Sequence, residues 1–197
     1  MSSSRNRPPF EAVKAFRAKI EARDPPMGPL ISLTDPRVTD AMGWGDKVDF
    51  IWYDQEHAPM SPEALQNHIL AAHGRGIAVI VRVQGPNVVT GQTWGGYIKA
   101  ALDAGADGVI VPQVRTAEEV RSIVADCRYP RGPTRLAPYN TIPEKGAPAG
   151  TASASWLKRG FSTASLNSSG LPLYEYLNEA DEAIFCCIML ETAEVTI

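Results

Sequence analysis

Residues 49–65, DFIWYDQEHAPMSPEAL, join an apolar run, a group of polar side chains and the start of a helix. The run FIWY is typical of a strand buried in a core, because it is continuously apolar over the length of a short strand. Ser61 and Pro62 then indicate a helix start, since serine can cap a helix and proline suits its first turn. The stretch therefore predicts a strand, a loop and a helix in succession, with three polar residues in the loop: Asp54, Glu56 and His57.

The same strand-and-helix pattern recurs along the chain. Apolar runs predict five strands, at 29–33, 48–53, 77–83, 109–112 and 183–190. Helical spacing or capping signals predict helices over 10–22, 37–44 and 94–104, from 61 and from 116, and over 171–181. Strands that alternate with helices indicate right-handed βαβ units and therefore a parallel sheet.

Two architectures fit this alternation. A closed (β/α)₈ barrel needs eight strands and typically about 250 residues. A doubly wound open sheet is the alternative, but the first strand–helix turn lacks the Gly-x-Gly-x-x-Gly phosphate loop. Residues 129–170 are rich in Pro, Gly, Ser, Thr and Ala. Such a long connection is unusual inside a compact domain, so we predict a loop or disordered insert over 140–170.

Composition narrows the classes of function. The chain is 44% hydrophobic and 21% charged, with a formal net charge of −3, so no basic surface for nucleic acid is expected. No apolar run approaches the roughly 18 residues of a membrane span, and no membrane partner is expected. Its cysteines, which are odd in number, suit reduced thiols and a cytoplasmic location better than a disulfide framework.

Polar side chains follow four of the predicted strands. Asp54 and His57 follow the second strand, Arg82 lies near the end of the third, and Gln113 and Glu191 follow the fourth and fifth. The carboxyl ends of parallel strands open onto one face, where ligands bind. The pattern therefore predicts a site on that face, although His57 considered alone could equally cap or brace its loop.

Several of these residues also have purely structural interpretations. An arginine at the end of a buried strand needs a carboxylate partner, and Asp54 or Asp103 could form such a pair with Arg82. Glu191 is costly to bury unpaired, and metal coordination is one ordinary remedy. Trp52, within an apolar strand, is typical of a core residue.

Longer segments resemble the HpcH/HpaI aldolases, the metal-dependent pyruvate aldolases. DFIWYDQEHAP is similar to that family's Asp-x-x-x-x-Asp-x-Glu-His-x-Pro signature, and VIVRV to its arginine strand. ALDAGADGVIVPQVRTAEEVRSIVADCRYP resembles its central signature, and YLNEADEAIFCCIMLET the segment that leads to its first metal ligand. Together they cover most of residues 28–135 and 171–192. The spacing of Trp52, Asp54 and His57 is more similar to the fungal macrophomate synthase branch than to the bacterial enzymes.

The resemblance implies a fold and a chemistry. The fold would be a single-domain, incomplete (β/α)₈ TIM-type barrel over residues 1–197, with about five β/α units. The chemistry would be that of an aldolase or carbon–carbon lyase acting on a 2-oxo acid such as pyruvate or oxaloacetate, in a homo-oligomer.

The resemblance also implies residue roles. Glu191 would bind a divalent cation, Mg²⁺, Mn²⁺ or Co²⁺. Arg82 would hold the 2-oxo acid and stabilise the developing enolate oxygen. His57, oriented by Asp103, would be the general acid and base. The residues expected to border the substrate are Arg82, Trp52, Asp54 and Gln113.

The chain also departs from the family pattern. The family's second metal ligand is an aspartate in a Gly-Pro-x-Asp-Leu loop, which does not occur before Ile197. We therefore expect a C-terminally truncated member, for which a catalytically inactive chain or an assembly partner is an alternative. A citrate-lyase-β-like acyl-CoA lyase is a further alternative, and it would need a basic region for coenzyme A.

Overall fold

A computed structural model describes residues 10–45, 47–58, 60–129 and 171–191 of the protein. Its helices, in chain order, are α1 Glu11–Glu21, α2 Arg37–Met42, α3 Pro62–Arg75, α4 Trp94–Asp103, α5 Ala117–Asp126 and α6 Leu173–Ala183. Its strands are β1 Leu30–Ile31, β2 Phe50–Asp54, β3 Ala78–Arg82, β4 Gly108–Val111 and β5 Phe185–Ile188. The predicted insert at 140–170 lies outside the described residues.

The strands form one sheet in the order β1-β2-β3-β4-β5, and every neighbouring pair is parallel. This confirms the predicted α/β architecture with five strands. Within the described part of the chain the sheet does not close on itself, because β1 and β5 each pair with one neighbour only. The arrangement is that of an incomplete barrel of the TIM type.

The main core lies on the sheet face covered by the helices α2 to α5. Alternate strand residues point to this face and are fully buried, as Tyr53, Val79 and Val109 illustrate. On the opposite face, Ala78 and Ile80 pack with Phe16 of α1. Phe16 also contacts the ring of Phe50, with 5.1 Å between ring centroids. Because both faces are covered, β3 reads as a continuous apolar run.

Two predicted helix starts are confirmed by their caps. Ser61 accepts a hydrogen bond of 3.1 Å from the backbone N–H of Ala64. Thr116 and Glu119 form a reciprocal capping box at the start of α5. No helix among the described residues is long and apolar enough to cross a membrane. None of the three cysteines is in a disulfide.

Several predicted boundaries were wrong. The first strand is confined to Leu30–Ile31, and the last begins at Phe185 because Ala183 still belongs to α6. The second strand extends one residue further than predicted, so that Asp54 is its final residue and not part of the loop. Asp54 is therefore fixed by the sheet itself.

Candidate active site

Asp54 and Arg82 end two neighbouring strands and face each other in register. Arg82 Nε donates a 2.9 Å hydrogen bond to Asp54 Oδ1, and Arg82 Nη2 donates to Asp54 Oδ2. The Arg82 side chain is 13% exposed and the Asp54 side chain is 5% exposed. Of the two carboxylates predicted as partners of this arginine, the structure selects Asp54.

The carboxylate of Asp54 is hydrogen bonded on several sides. Its Oδ1 also accepts from the backbone N–H groups of Glu56, at 2.9 Å, and His57, at 3.3 Å. Burial by itself would raise the pKa of Asp54, but the hydrogen bond from Arg82 and those from the two backbone amides outweigh it, so the pKa lies below its ordinary value. Asp54 is therefore ionised, and its oxygens are used in hydrogen bonds with Arg82 and with the first residues of the loop.

Glu56 is a second carboxylate beside Arg82. Its side chain is 8% exposed, and its Oε2 lies 3.3 Å from Arg82 Nη1. Its Oε1 accepts a 3.2 Å hydrogen bond from Gln113 Nε2. Glu56 was expected in the loop after β2 but was assigned no role. The available signal was its position two residues after Asp54, the last residue of β2.

Gln113 connects this cluster to the end of β5. Its backbone N–H donates a 2.7 Å hydrogen bond to Glu191 Oε2, while its side chain contacts Glu56. Its φ of 60° lies in the left-handed region, which few non-glycine residues adopt. Its amide packs so closely against Gly85 that a Cβ there would lie 2.5 Å from Gln113 Nε2. Gln113 and Glu191 thus contact each other at the carboxyl ends of the strands, where Arg82 also lies.

Glu191 interacts electrostatically with Arg82. The pKa of Arg82 is raised above its ordinary value, first by the hydrogen bond to Asp54, against the opposing effect of burial, and further by the charges of Asp54, Glu56 and Glu191. Asp54 and Glu56 contact the guanidinium and Glu191 acts on it through its charge, so these four groups have a formal charge of −2. This excess is suited to a divalent cation.

His57 lies at the open side of the cluster. Its side chain is 71% exposed, and its Nε2 is 3.6 Å from Glu56 Oε2. A cavity of about 360 Å³ opens here, bordered by Glu56, His57 and Gln113 and by residues of the β3–α4 loop and α4, namely Gln84, Gly85, Pro86, Asn87, Val88 and Tyr97. The loop residues were not predicted, because the path of a loop leaves no periodic signal in sequence.

Within this chain Asp103 pairs with Lys99, so the orienting role predicted for it stays a prediction. Asp103 is the last residue of α4 and pairs with Lys99 one turn earlier. The first residue of α4, Trp94, donates a 2.9 Å hydrogen bond to the carbonyl of Pro112 beyond the end of β4. Because a crossover helix runs antiparallel to its strands, Asp103 lies at the opposite end of the sheet from His57. The carboxylate that the structure records beside the His57 imidazole is that of Glu56.

Trp52 lies below the guanidinium of Arg82. The distance from Arg82 Cζ to the centroid of the Trp52 ring is 5.6 Å, within range of a cation–π contact. Trp52 also packs with the core cluster that contains Phe16 and Ile80. The structure therefore gives Trp52 a structural contact, and its predicted contact with substrate stays a prediction.

The carboxylates of this cluster are the candidate ligands for a metal ion. Among the described residues, no three His, Cys, Asp or Glu side chains cluster closely enough to hold an ion alone. Two carboxylates, those of Glu56 and Glu191, nevertheless contact the same glutamine. Mg²⁺ sites commonly use one or two carboxylates, with water and substrate oxygens completing the shell. Together with the net negative charge, this donor set fits a hard divalent cation.

The chain is similar to known proteins of one family. The HpcH/HpaI aldolase/citrate lyase family model matches residues 32–194. A hydroxypyruvate/pyruvate aldolase of Roseobacter denitrificans is 28% identical over 60% of this chain and 43% of its own length. A 5-keto-4-deoxy-D-glucarate aldolase of Salmonella paratyphi A is 31% identical over 66% of this chain and 50% of its own.

A solved structure shows the same similarity. The crystal structure of macrophomate synthase superposes with a TM-score of 0.63 at 25% identity, covering 94% of this chain and 54% of that one. The chain thus spans about half the length of the proteins it matches.

Proposed function

Since the chain belongs to the HpcH/HpaI aldolase/citrate lyase family, we propose that it is a metal-dependent aldolase or carbon–carbon lyase acting on a 2-oxo acid such as pyruvate or oxaloacetate. The observation that carries the proposal is the position of Arg82. A fixed guanidinium at the end of a buried strand pairs with Asp54 and lies 3.3 Å from Glu56, which borders the cavity.

Arg82 supplies fixed positive charge where the reaction needs it. Two of its nitrogens, Nε and Nη2, are held by Asp54, which orients the planar group. Its Nη1 faces Glu56 without a hydrogen bond, so donor capacity remains on that side. Enolate formation places negative charge on the oxygen of the 2-oxo group, and a preorganised cation there stabilises the transition state more than the ground state.

His57 is the proposed general acid and base. An imidazole exposed at the mouth of the cavity can exchange protons with solvent and reach a substrate inside it. Histidine changes charge near neutral pH, which suits proton transfer to and from a carbon or hydroxyl group. Asp103 keeps its predicted orienting role in this proposal, and Glu56, whose Oε2 lies 3.6 Å from His57 Nε2, is the carboxylate beside the imidazole in this chain.

Glu191 is the proposed ligand of the divalent cation, Mg²⁺, Mn²⁺ or Co²⁺. A bound cation would supply Lewis-acid charge for the carbonyl group of a 2-oxo acid. Glu191 is held towards the cluster by the backbone N–H of Gln113. Gln113 and Asp54 are further proposed to shape the substrate side, Gln113 through its position on the cavity wall.

We also propose a homo-oligomer in the cytoplasm, with no nucleic acid or membrane partner. Both edges of the described sheet have unpaired strands, and open edges are usually covered in a native protein. Large apolar side chains are exposed as well, Trp44 at 76% among them. Thiols outside disulfides, as in Cys186 and Cys187, suit a reducing compartment.

The test is pyruvate release from oxaloacetate by the purified chain, with Mg²⁺ and with a chelator. We expect metal-dependent release that Arg82→Lys reduces by at least about 100-fold, since lysine cannot reproduce the fork held by Asp54. Arg121→Lys changes an exposed arginine of α5 and serves as the control. Absence of turnover would overturn the proposal in favour of an inactive family member. Cleavage of an acyl-CoA substrate alone would favour the acyl-CoA lyase alternative.

A further inference from the structure

Two of the three cysteines, Cys127 and Cys186, pack in the main core beneath the helices. Cys127 is the C-cap residue of α5 and is fully buried, whereas Cys186 is the second residue of β5 and is half-buried. Because α5 runs antiparallel to the strands, its last residues lie over the first residues of the strands beside it. The fold therefore brings two thiols from distant parts of the sequence to the same region.

The alternation of side chains along β5 separates Cys186 from its neighbour Cys187. Cys186 pairs in register with Val109 of β4, and both pack in the main core. Cys187 packs on the opposite face of the sheet, in the cluster that contains Phe16, because successive strand side chains point to opposite faces. The β5 thiol on the same face as Cys127 is therefore that of Cys186.

The thiols of Cys127 and Cys186 interact directly. A hydrogen bond between the two side chains raises the pKa of Cys127, and burial raises it further. The same hydrogen bond lowers the pKa of Cys186 and outweighs the opposing effect of burial, with a further lowering by the charge of Arg128. The Cys127 thiol thus donates and the Cys186 sulfur accepts. Since the thiolate is the nucleophilic form of cysteine, Cys186 is the more reactive member of the pair.

Arg128 provides a second observation that favours an anion beside the two thiols. It follows Cys127 directly in the chain, and its Nη1 is buried without a hydrogen-bond partner in the part of the chain that the structure describes. A buried guanidinium nitrogen that lacks an acceptor costs free energy. An anion nearby offsets that cost, and the thiolate of Cys186 is an anion whose charge interacts with Arg128. A cation beside a cysteine is typical of reactive thiols.

We propose that Cys127 and Cys186 form a redox modification site that hydrogen peroxide converts reversibly to a disulfide. The Cys186 thiolate attacks one peroxide oxygen, the O–O bond breaks, and the leaving hydroxide takes up a proton, so that Cys186 becomes a sulfenic acid. Cys127 then attacks the Cys186 sulfur, the S–O bond breaks, and the hydroxyl group leaves as water with the Cys127 proton. The two thiols are oxidised by two electrons and the peroxide is reduced to water. In a reducing compartment, disulfides of this kind are transient.

The test is treatment of the reduced, folded full chain with a small molar excess of hydrogen peroxide, followed by thiol counting in denaturant and peptide mass spectrometry. We expect the free thiols to fall from three per chain to one, with a crosslink between Cys127 and Cys186 that dithiothreitol removes. Cys187→Ser is the matched control, because it changes the thiol on the opposite face, and it should form the same crosslink. Retention of all thiols, or a crosslink between Cys186 and Cys187 instead, would overturn the proposal.

Cys127→Ser separates the roles of the two thiols. Without its partner, Cys186 should stop at the sulfenic acid, which dimedone labels, whereas Cys186→Ser should give no label at Cys127. Absence of label at Cys186, or label at Cys127, would overturn the assigned order of attack. The crosslink in the unmodified protein is measured without any variant, so the proposal stays testable if a serine variant does not fold. Neither measurement depends on turnover of a 2-oxo acid, so this proposal and the proposed function fail independently.

Discussion

Asp54 pairs with Arg82 through two hydrogen bonds where the last residues of β2 and β3 face each other in register. Both side chains are largely buried, so the pair is part of the sheet as much as of the site. The same contact that satisfies a buried guanidinium also sets its direction. Stability and the proposed chemistry therefore depend on the same residue, and they can be separated by experiment.

Asp54→Asn is expected to destabilise the protein by about 3 kcal/mol. Breaking a buried ion pair leaves the other charge unpaired, which typically costs about 3–5 kcal/mol, and the nearby Glu56 favours the lower end of that range. The measurement is urea unfolding at neutral pH. Asp24→Asn, at an exposed position after α1, is the control. Equal unfolding midpoints for the two variants would contradict a structural role of the pair.

His57→Asn is expected to abolish turnover without loss of stability. A general acid or base typically contributes about 10²–10⁴-fold to the rate. The side chain is 71% exposed, so its removal leaves no cavity and little unsatisfied surface. Pyruvate release and the melting temperature are measured on the same preparation. A fall in melting temperature that parallels the loss of turnover would instead support the bracing role.

His73→Gln is expected to show a stability difference that depends on pH. Burial lowers the pKa of His73, but the charge of Asp107 and the hydrogen bond to it, at 2.9 Å, outweigh burial, so the pKa lies above its ordinary value. A raised folded-state pKa contributes stability that is fully present below the unfolded pKa of about 6.5 and is lost as pH rises through the folded value.

The His73 prediction is checked by urea unfolding of both proteins. The unmodified protein should exceed His73→Gln in free energy of unfolding by more at about pH 6 than at about pH 9. A gap that widens as pH rises would show that the histidine is held in its neutral form.

The order of helices and strands could be predicted from sequence because each element carries its own local signal. Continuous apolar runs indicated buried strands, and Ser61 and Thr116 marked helix starts that the structure confirms. Strand ends were less certain, since Asp54 is polar and still continues β2 by pairing with the backbone of β3. That extension depends on a partner strand and not on local composition.

The edge of the sheet that carries the site could also be predicted, because the carboxyl ends of parallel strands open onto one face. What sequence could not supply was the pairing of side chains on that edge. Asp103 was assigned to His57 by resemblance, whereas in this chain it is the last residue of α4 and pairs with Lys99. Glu56 was named with Asp54 and His57 in the loop after β2 but was assigned no role. Its importance depends on contacts with Arg82 and Gln113, which lie on other strands or beyond them.

The most direct test of the central claim is proton exchange at the methyl group of pyruvate, followed by proton NMR in deuterated water. If the strand-end cluster stabilises an enolate, the chain with Mn²⁺ or Mg²⁺ will exchange these protons faster than buffer with metal. Arg121→Lys will retain the exchange, whereas Arg82→Lys will lose it. Exchange that survives in Arg82→Lys, or that proceeds equally well without metal, would contradict the account.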